Sequence, residues 1–311
     1  MPTTNFTGGG IQTKTFQELL CSPSLVGGLQ QESIPFSVVH ILLSITAFLG
    51  NTLILVALQK ESSLHPPSKL LYRCLATTDL LVGLVSQPLM TSYWMSVLHK
   101  HWSFCRYAYD AVIITSYTLC GVSLFTMTTI SVDRLLALWM GLRYKQIVTL
   151  KRSYIIITSF WIESSVIALC YTLDYRIPTW SGHIAIPSCV VISVASYIKI
   201  FRGLSHHQAQ VQDRVQQQQS QQNALNIARY RKAVYSALWV QLALVVCYAP
   251  YFIVEIVITN SKTYSSYLVV IRGVAAVLVF FNSTLNPFLY CWKISEVRQA
   301  VKQTIRQAQR S

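Results

Sequence analysis

The sequence predicts an all-α membrane protein in which seven transmembrane helices form one bundle, and three observations support this fold class. Of the 311 residues, 52% are hydrophobic and only 12% are charged, about half the charged fraction that is usual in soluble domains. Apolar stretches long enough to cross a bilayer, about 20 residues each, recur seven times. The basic residues also fall mainly on one side of these stretches.

The seven predicted spans follow one another along the chain, mostly with short connections. Their expected boundaries are residues 34–58, 70–93, 105–138, 153–173, 182–203, 228–258 and 264–292. The third and sixth are longer than a bilayer requires, so they should project beyond it. This division leaves an N-terminal segment of residues 1–33, a seven-span domain of residues 34–292 and a C-terminal segment of residues 293–311.

The distribution of Lys and Arg predicts the orientation of the chain. With the N-terminus outside, 19 of the 25 basic residues lie on the inner side of the membrane and 6 on the outer side, as the positive-inside rule requires. Anionic lipid of the inner leaflet then accounts for the net charge of +14, and no nucleic acid partner is expected. A glycosylation sequon at Asn5 would lie on the outer side.

Two cytoplasmic segments stand apart by composition. The loop of about residues 204–227 contains QVQDRVQQQQSQQNALN, residues 210–226, which is typical of a disordered segment or a frayed helix extension, and we expect a solvated spacer. Beyond Trp292, the apolar residues Ile294, Val297, Val301 and Ile305 recur at helical spacing among basic residues. This pattern predicts an amphipathic eighth helix on the inner leaflet.

Polar residues within the spans are candidates for function, because each is costly in hydrocarbon. The candidates in spans one, two, three and seven are Asn51, Asp79, Ser123, Asn282 and Asn286. If they converge, one carboxylate with several neutral oxygens suits a hard cation such as Na⁺. The alternative is a set of interhelical hydrogen bonds without an ion, worth about 0.6 kcal/mol each.

Three further charged positions carry hypotheses. Asp133 and Arg134 at the inner end of span three either neutralise each other, release the arginine to bind a cytoplasmic partner, or simply reach the interface. Glu163 in span four would be a buried, protonated acid or a packing partner.

The eight cysteines include no CxxC pair, so a zinc site is not supported.

Taken together, these residues resemble the rhodopsin-like (class A) G protein-coupled receptors through nearly the whole chain. The resemblance rests on motifs that occur in the family's order. They are Gly50-Asn51, LATTDLL with Asp79, WSF (102–104), Asp133-Arg134, Trp161, CYAP (247–250) and NPFLY (286–290).

The resemblance implies a plasma-membrane receptor that is not an enzyme. An extracellular ligand would shift the bundle towards a state that activates a heterotrimeric G protein. The implied coupling and switch residues are Asp133, Arg134, Tyr197, Asn286, Pro287 and Tyr290. The implied sodium site comprises Asp79, Ser123, Asn282 and Asn286, and no other cofactor is expected. The implied ligand pocket comprises Ser116, Tyr117, Cys120, Tyr248, Tyr251, Phe252 and Glu255.

Several departures from the family pattern carry expectations. The short loop after span four has no cysteine, so the family's usual disulfide is absent; whether Cys105 pairs with Cys21 instead stays open. The foot of span six, at Tyr230 and Arg231, has no acid to hold Arg134, which predicts signalling without ligand. The missing loop cysteine, the short loop after span four and the missing proline in span five resemble melanocortin receptors. The loop sequence LRYKQIVTLKR (142–152) is more similar to adenosine receptors.

The pocket positions restrict the ligand. Ser116 replaces the aspartate of amine receptors, and span seven has no lysine for retinal. Glu255 is the best polar anchor, which suggests a cationic or hydrogen-bond-donating ligand; the alternative is an acid that faces the outer water. A seven-span transporter or channel and a non-coupling decoy receptor are the other function classes, but no inverted repeat is apparent.

Overall fold

The computed structural model describes residues 16–60, 64–215, 242–261, 264–293, 298–299, 301–302 and 306, without the side chains of residues 17, 18, 142, 204–215 and 290–293. The α-helices are α1 Phe16–Leu19, α2 Pro23–Val26, α3 Gln30–Lys60, α4 Pro66–Leu81, α5 Gln87–Leu98, α6 Trp102–Met140, α7 Tyr144–Ile147, α8 Leu150–Leu169, α9 Arg176–Val215, α10 Leu242–Asn260 and α11 Ser266–Lys293. No strand occurs in this part of the chain.

Seven helical segments within the described residues are long and apolar enough to cross a membrane. In order they are α3, the continuous run α4–α5, α6, α8, α9, α10 and α11, and they are called spans one to seven below. The predicted seven-span helical bundle is therefore confirmed. Span three has 39 residues, as its long apolar pattern suggests. The predicted inner foot of span six lies outside the described residues.

Local sequence explains where several of these helices begin, bend and end. Pro66 starts α4, where its missing N–H would have no intrahelical partner in any case. A π-helical segment, Val82–Ser86, interrupts span two just before Pro88, which cannot donate the next backbone hydrogen bond. Gly141 ends span three with a φ of +50°, a conformation that favours glycine over other residues.

The two predicted cytoplasmic segments are described only in part. Helix α9 continues to Val215, so the first residues of the glutamine-rich tract extend the helix, and the rest of residues 210–226 lies outside the described residues. Of the predicted eighth helix, residues 298–299, 301–302 and 306 are described and are helical. Among them, Val301 is buried in the apolar cluster at the inner end of the bundle.

The bundle interior contains two apolar clusters, and many large apolar side chains of the spans face outwards. The inner cluster joins spans one to six around Leu75, Met127 and Leu244. The outer cluster also includes the N-terminal residues Phe16, Leu20 and Val26. Residues of the N-terminal segment thus belong to the folded core, and the sequence pattern did not predict this.

Candidate functional site

Asp79 lies at the centre of a buried polar cluster between spans two, three and seven. Its carboxylate is fully buried and accepts hydrogen bonds from Ser123 Oγ at 3.3 Å and from Asn286 Nδ2 at 2.7 Å. Asn282 lies on the same face of span seven and donates to Met127 Sδ at 3.4 Å. The structure therefore brings Asp79, Ser123 and Asn286 into contact and places Asn282 one helical turn from Asn286.

The carbonyl oxygens of Asn282 and Asn286 in this cluster have no hydrogen-bond partner among the described residues. Buried acceptors of this kind ordinarily bind a donor, a water molecule or a cation. Together with the Asp79 carboxylate and the Ser123 hydroxyl, they form an oxygen-rich donor set. This set fits the chemistry of a hard monovalent cation.

Span seven also holds span one through polar and close apolar contacts. Asn51 Nδ2 donates to the Ser283 carbonyl at 3.0 Å, and the Asn51 side chain is fully buried. A Cβ placed on Gly50 would lie 3.0 Å from Pro287 Cγ, so a glycine lets the proline ring pack against span one. These contacts explain why polar residues and a proline occur within an otherwise apolar span.

Asp133 at the inner end of span three is held by three groups. Ser68 Oγ donates to its Oδ2 at 2.9 Å, Tyr144 donates its hydroxyl to Oδ1 at 2.6 Å, and Arg134 Nη2 lies 3.2 Å from Oδ2. The Asp133 side chain is 3% exposed, whereas that of Arg134 is 35% exposed. The acid is thus fixed inside the bundle, and the arginine reaches towards the inner surface.

Tyr144 belongs to the short helix α7 in the loop between spans three and four, outside the spans. Burial, together with its hydrogen bond to Asp133, raises the pKa of Tyr144 to about 12. Its hydroxyl therefore stays protonated at physiological pH and can donate to the carboxylate. Sequence reasoning did not identify this residue, although its place eleven positions after Asp133 in the LRY segment was visible.

The remaining predicted switch residues are placed as follows. Tyr197 on span five is buried near Arg134, and the Tyr72 ring centre lies 5.7 Å from the guanidinium carbon. Tyr290 lies within α11, but its side chain is not among those described, and Tyr230 and Arg231 lie outside the described residues altogether. The structure thus supports a tyrosine-lined environment for Arg134 without describing the opposing foot of span six.

A cavity of about 140 Å³ lies in the outer half of the bundle. Five predicted pocket residues line it, namely Ser116, Tyr117, Cys120, Tyr248 and Tyr251. Most of its remaining wall is apolar and comes from spans two to seven. Cys120 is one helical turn from Ser123, so the cavity lies directly beyond the polar cluster around Asp79.

Two predicted pocket residues do not line this cavity. Phe252 is turned towards span five, where its ring centre lies 5.9 Å from that of His183. Glu255 is one turn beyond Tyr251 and is bonded to span seven: Arg272 Nε donates to Glu255 Oε1 at 2.7 Å. Glu255 therefore does not face the outer water, and its predicted role as a polar anchor for a ligand stays a prediction.

Arg272 is the pocket residue that sequence reasoning missed. It lines the cavity, donates from Nη2 to the Tyr251 hydroxyl at 3.1 Å, and lies with its guanidinium carbon 5.8 Å from the Tyr109 ring centre. The pair with Glu255 is largely buried, because the two side chains are 13% and 12% exposed. The available signal was a basic residue inside the apolar run VVIRGVAA.

Two further expectations are resolved at the outer half and the surface of the bundle. Cys21 and Cys105 form a disulfide with a Cα–Cα distance of 5.7 Å, a pairing that the sequence leaves open. The side chain of Glu163 on span four is exposed, so the expected buried acid is excluded. No hydrogen bond or ion pair joins Glu163 to another residue in the part of the chain that the structure describes, so its role is not assigned.

Comparison with known proteins agrees with this architecture. Residues 50–189 and 179–290 match the model of the family described as 7 transmembrane receptor (rhodopsin family). The chain is 24% identical over 292 residues to melanocortin receptor 5 of Mus musculus, covering 86% of this chain and 83% of the relative. It is 23% identical over 352 residues to 5-hydroxytryptamine receptor 1B of Mus musculus, covering 90% of each. Melanocortin receptor 5 of Homo sapiens is 25% identical over 288 residues, covering 86% of this chain and 83% of the relative.

Proposed function

Since this chain belongs to the rhodopsin family of seven-transmembrane receptors and is therefore a G protein-coupled receptor, we propose that its outer cavity binds an extracellular ligand at the plasma membrane. The observation that carries this proposal is that the cavity and the polar cluster around Asp79 both include residues of span three. Cys120 lines the cavity, and Ser123, one turn further in, bonds the buried Asp79. A ligand that moves span three or Tyr248 would act directly on the polar cluster.

The proposed orientation places the N-terminus outside. The excess of Lys and Arg on the opposite side supports it. The disulfide between Cys21 and Cys105 supports it independently, because such bonds persist in oxidising compartments. Both cysteines lie at the cavity end of the bundle, so this end would face the extracellular space.

Activation in this proposal is a shift between two packings of the bundle. In the described arrangement, Asp133 holds Arg134 at the inner end of span three. Ligand binding would favour a packing in which span six moves outwards and Arg134 turns towards the C-terminal helix of the G protein. The Arg134 Nε has no hydrogen-bond partner among the described residues, so it retains a donor for such a contact.

A sodium ion is proposed to stabilise the arrangement described here. Asp79, Ser123, Asn282 and Asn286 would hold it, since both amide oxygens have no hydrogen-bond partner among the described residues. When bound, the ion would supply the positive charge that balances the buried carboxylate. These residues tie spans two, three and seven together, so a cation there would oppose their separation.

The first test is ligand-free signalling in cells that express the full chain, measured with reporters for several G protein classes. We expect a basal signal in at least one reporter, and Arg134→Ala should abolish it. Arg106→Ala, an exposed arginine at the outer end of the same helix, is the matched control and should leave it unchanged. Surface expression of each variant is measured in parallel.

The possible outcomes separate the parts of this proposal. A basal signal that Arg134→Ala leaves intact would contradict the assigned role of Arg134. Silence in every reporter at normal surface expression would contradict ligand-free activity. It would leave the family assignment unaffected.

The relatives do not by themselves choose a ligand. Their names refer to melanocortins in one case and to 5-hydroxytryptamine in the other, which are chemically different. The identity of the ligand must therefore be argued from the cavity.

A further inference from the structure

The outer end of the bundle is covered by residues 16–29, which are called the lid below. The lid contains α1 and α2, and its side chains Phe16, Leu20 and Val26 are buried in the outer apolar cluster. An exposed N-terminal tail would not bury large apolar groups in this way. The lid is therefore an integral layer of the receptor domain.

Polar and covalent contacts fix the lid to three spans. The disulfide from Cys21 joins it to the start of span three. Ser266 Oγ at the start of span seven donates to the Leu25 carbonyl at 2.7 Å, and the Tyr93 hydroxyl on span two donates to the Leu20 carbonyl at 3.4 Å. The lid thus closes the outer opening over spans two, three and seven.

The lid connects directly to the cavity wall. The ring of Tyr93 lies 5.4 Å from that of Tyr109, which lines the cavity. Cys105, the lid attachment point, is one turn outwards from Tyr109 on the same helix. A water-soluble ligand approaching along the bundle axis would first have to displace these contacts.

The charged groups near the cavity neutralise each other. Arg272 is the one cavity-lining residue with a formal charge among the described side chains, and Glu255 binds its Nε. An ammonium ligand would find its acid already paired, and a carboxylate would compete with Glu255 for the guanidinium. Breaking a buried ion pair is costly, so the cavity favours a ligand without formal charge.

Two hydroxyl groups are available to orient such a ligand. Tyr109 and Ser116 lie two turns apart on span three, both line the cavity, and neither hydroxyl has a hydrogen-bond partner among the described residues. Unpaired buried hydroxyls are unfavourable unless they are satisfied by another group. Ligand oxygens would accept from them, from Tyr109 nearer the outer end of the cavity and from Ser116 deeper in it.

Among the described residues, the disulfide and the side-chain hydrogen bonds of the lid go to spans two, three and seven, and none goes to span four or five. Their connection, residues 173–175, is too short to form a further cover. The cavity wall here contains small residues, including Ser164 on span four and Gly182 and Ala185 on span five. Because these three side chains are small, a passage from the outer leaflet would meet the fewest atoms on this side of the cavity.

We propose that the cavity takes an uncharged, lipid-like ligand with a hydrogen-bonding end, which reaches it from the bilayer between spans four and five. This rests on the proposed function of the cavity as the ligand site. The test below measures access of small probes to the cavity. Its result does not depend on G protein signalling, so a failure of one proposal is distinguishable from a failure of the other.

Cys120 provides a native probe, because it is a free cysteine that lines the cavity. Intact cells expressing Cys170→Ser, which removes the thiol at the outer end of span four, are treated with methanethiosulfonates. Three reagents of similar length are compared: one cationic, one anionic and one uncharged and lipid-soluble. The thiol forms a mixed disulfide and releases the sulfinate, and the rate is measured by mass spectrometry of the peptide containing Cys120. Cys120→Ser in the same background is the matched control.

We expect the uncharged reagent to modify Cys120 many times faster than either charged reagent, after normalisation to their rates with a free thiol in solution. Opening the lid with Cys21→Ser/Cys105→Ser should selectively raise the rates of the charged reagents. Ser266→Ala, which removes one lid hydrogen bond, is a milder variant should the double mutant not reach the surface.

The second part of the experiment measures the same rates in variants with a substitution at the proposed opening. Gly182→Phe should slow the uncharged reagent, because a side chain there would approach Tyr117. Ile184→Phe, on the exposed outer face of the same helix, should not. Fast modification by a charged reagent with the lid intact, or failure of the uncharged reagent to modify Cys120, would overturn the proposal.

Discussion

At the scale of single residues, Glu255 and Arg272 form the most consequential pair in the outer half of the bundle. Each charge alone would cost free energy to bury at this depth, and the 2.7 Å contact between the two groups compensates both charges. The pair also joins span six to span seven beside the cavity. The contribution of this pair can therefore be measured as a change in receptor stability, for which no ligand has to be known.

We predict that Arg272→Ala lowers the thermal stability of the purified receptor, because Glu255 would be left buried without its partner. Breaking a buried pair in this way typically costs about 3–5 kcal/mol. The double variant Glu255→Gln/Arg272→Gln should be less affected, since it removes both charges. Thermal unfolding in detergent measures the effect.

The control for this prediction is Arg176→Ala, which removes an exposed arginine at the start of span five. It should change the unfolding temperature little. If the double variant were as damaged as Arg272→Ala, side-chain shape and not charge compensation would explain the loss.

At the scale of elements, the short helix α7 is attached to span three through the Tyr144 hydroxyl. The hydrogen bond to Asp133 is 2.6 Å long, and Ser68 from span two contacts both groups. Three elements thus meet at one carboxylate, beside Arg134. A change in this contact should alter how firmly the arginine is held.

We predict that Tyr144→Phe raises ligand-free signalling. The substitution removes a hydrogen bond to a charged group, worth about 1.5–3 kcal/mol, from the arrangement in which Asp133 holds Arg134. The measurement is basal reporter output normalised to surface expression. Tyr154→Phe, at an exposed site on span four, should leave the output unchanged, and equal output from both variants would contradict the role of Tyr144.

At the scale of the whole molecule, the cluster around Asp79 links three spans between the cavity and the inner end. A cation bound there would favour the packing described here and would reduce activity by mass action. Such a cation would couple this site to the inner end of the bundle even when no ligand is bound.

We predict that NaCl lowers ligand-free nucleotide exchange in membranes relative to KCl at equal ionic strength. Asp79→Asn should remove the difference, because the cluster would lose its carboxylate. Asp174→Asn, an exposed acid in the loop after span four, should retain it. An equal response to both salts in the unmodified receptor would count against sodium binding.

The seven-span bundle could be predicted from the sequence because the signals for it are local. Each span is defined by its own run of apolar residues, and Asp79 stands out within such a run without knowledge of its neighbours. The convergence of Asp79 with Asn286 could also be anticipated from the family resemblance. The structure supplies the distances.

The cavity was harder to predict because its chemistry depends on pairs that are distant in sequence. Glu255 looks like a free anchor until Arg272 is placed beside it, and Phe252 looks like a wall residue until its rotation towards His183 is known. The lid was missed for the same reason. Leu20 and Val26 are ordinary apolar residues until the disulfide at Cys21 brings them over the bundle.

The disulfide between Cys21 and Cys105 also constrains how the receptor is made. The two cysteines are 84 residues apart in the chain, and the intervening segment contains spans one and two. The bond can form only after the ribosome has delivered the start of span three to the side of the membrane that holds the N-terminus. Its oxidation therefore reports, during biosynthesis, that the first two spans have been inserted as a pair.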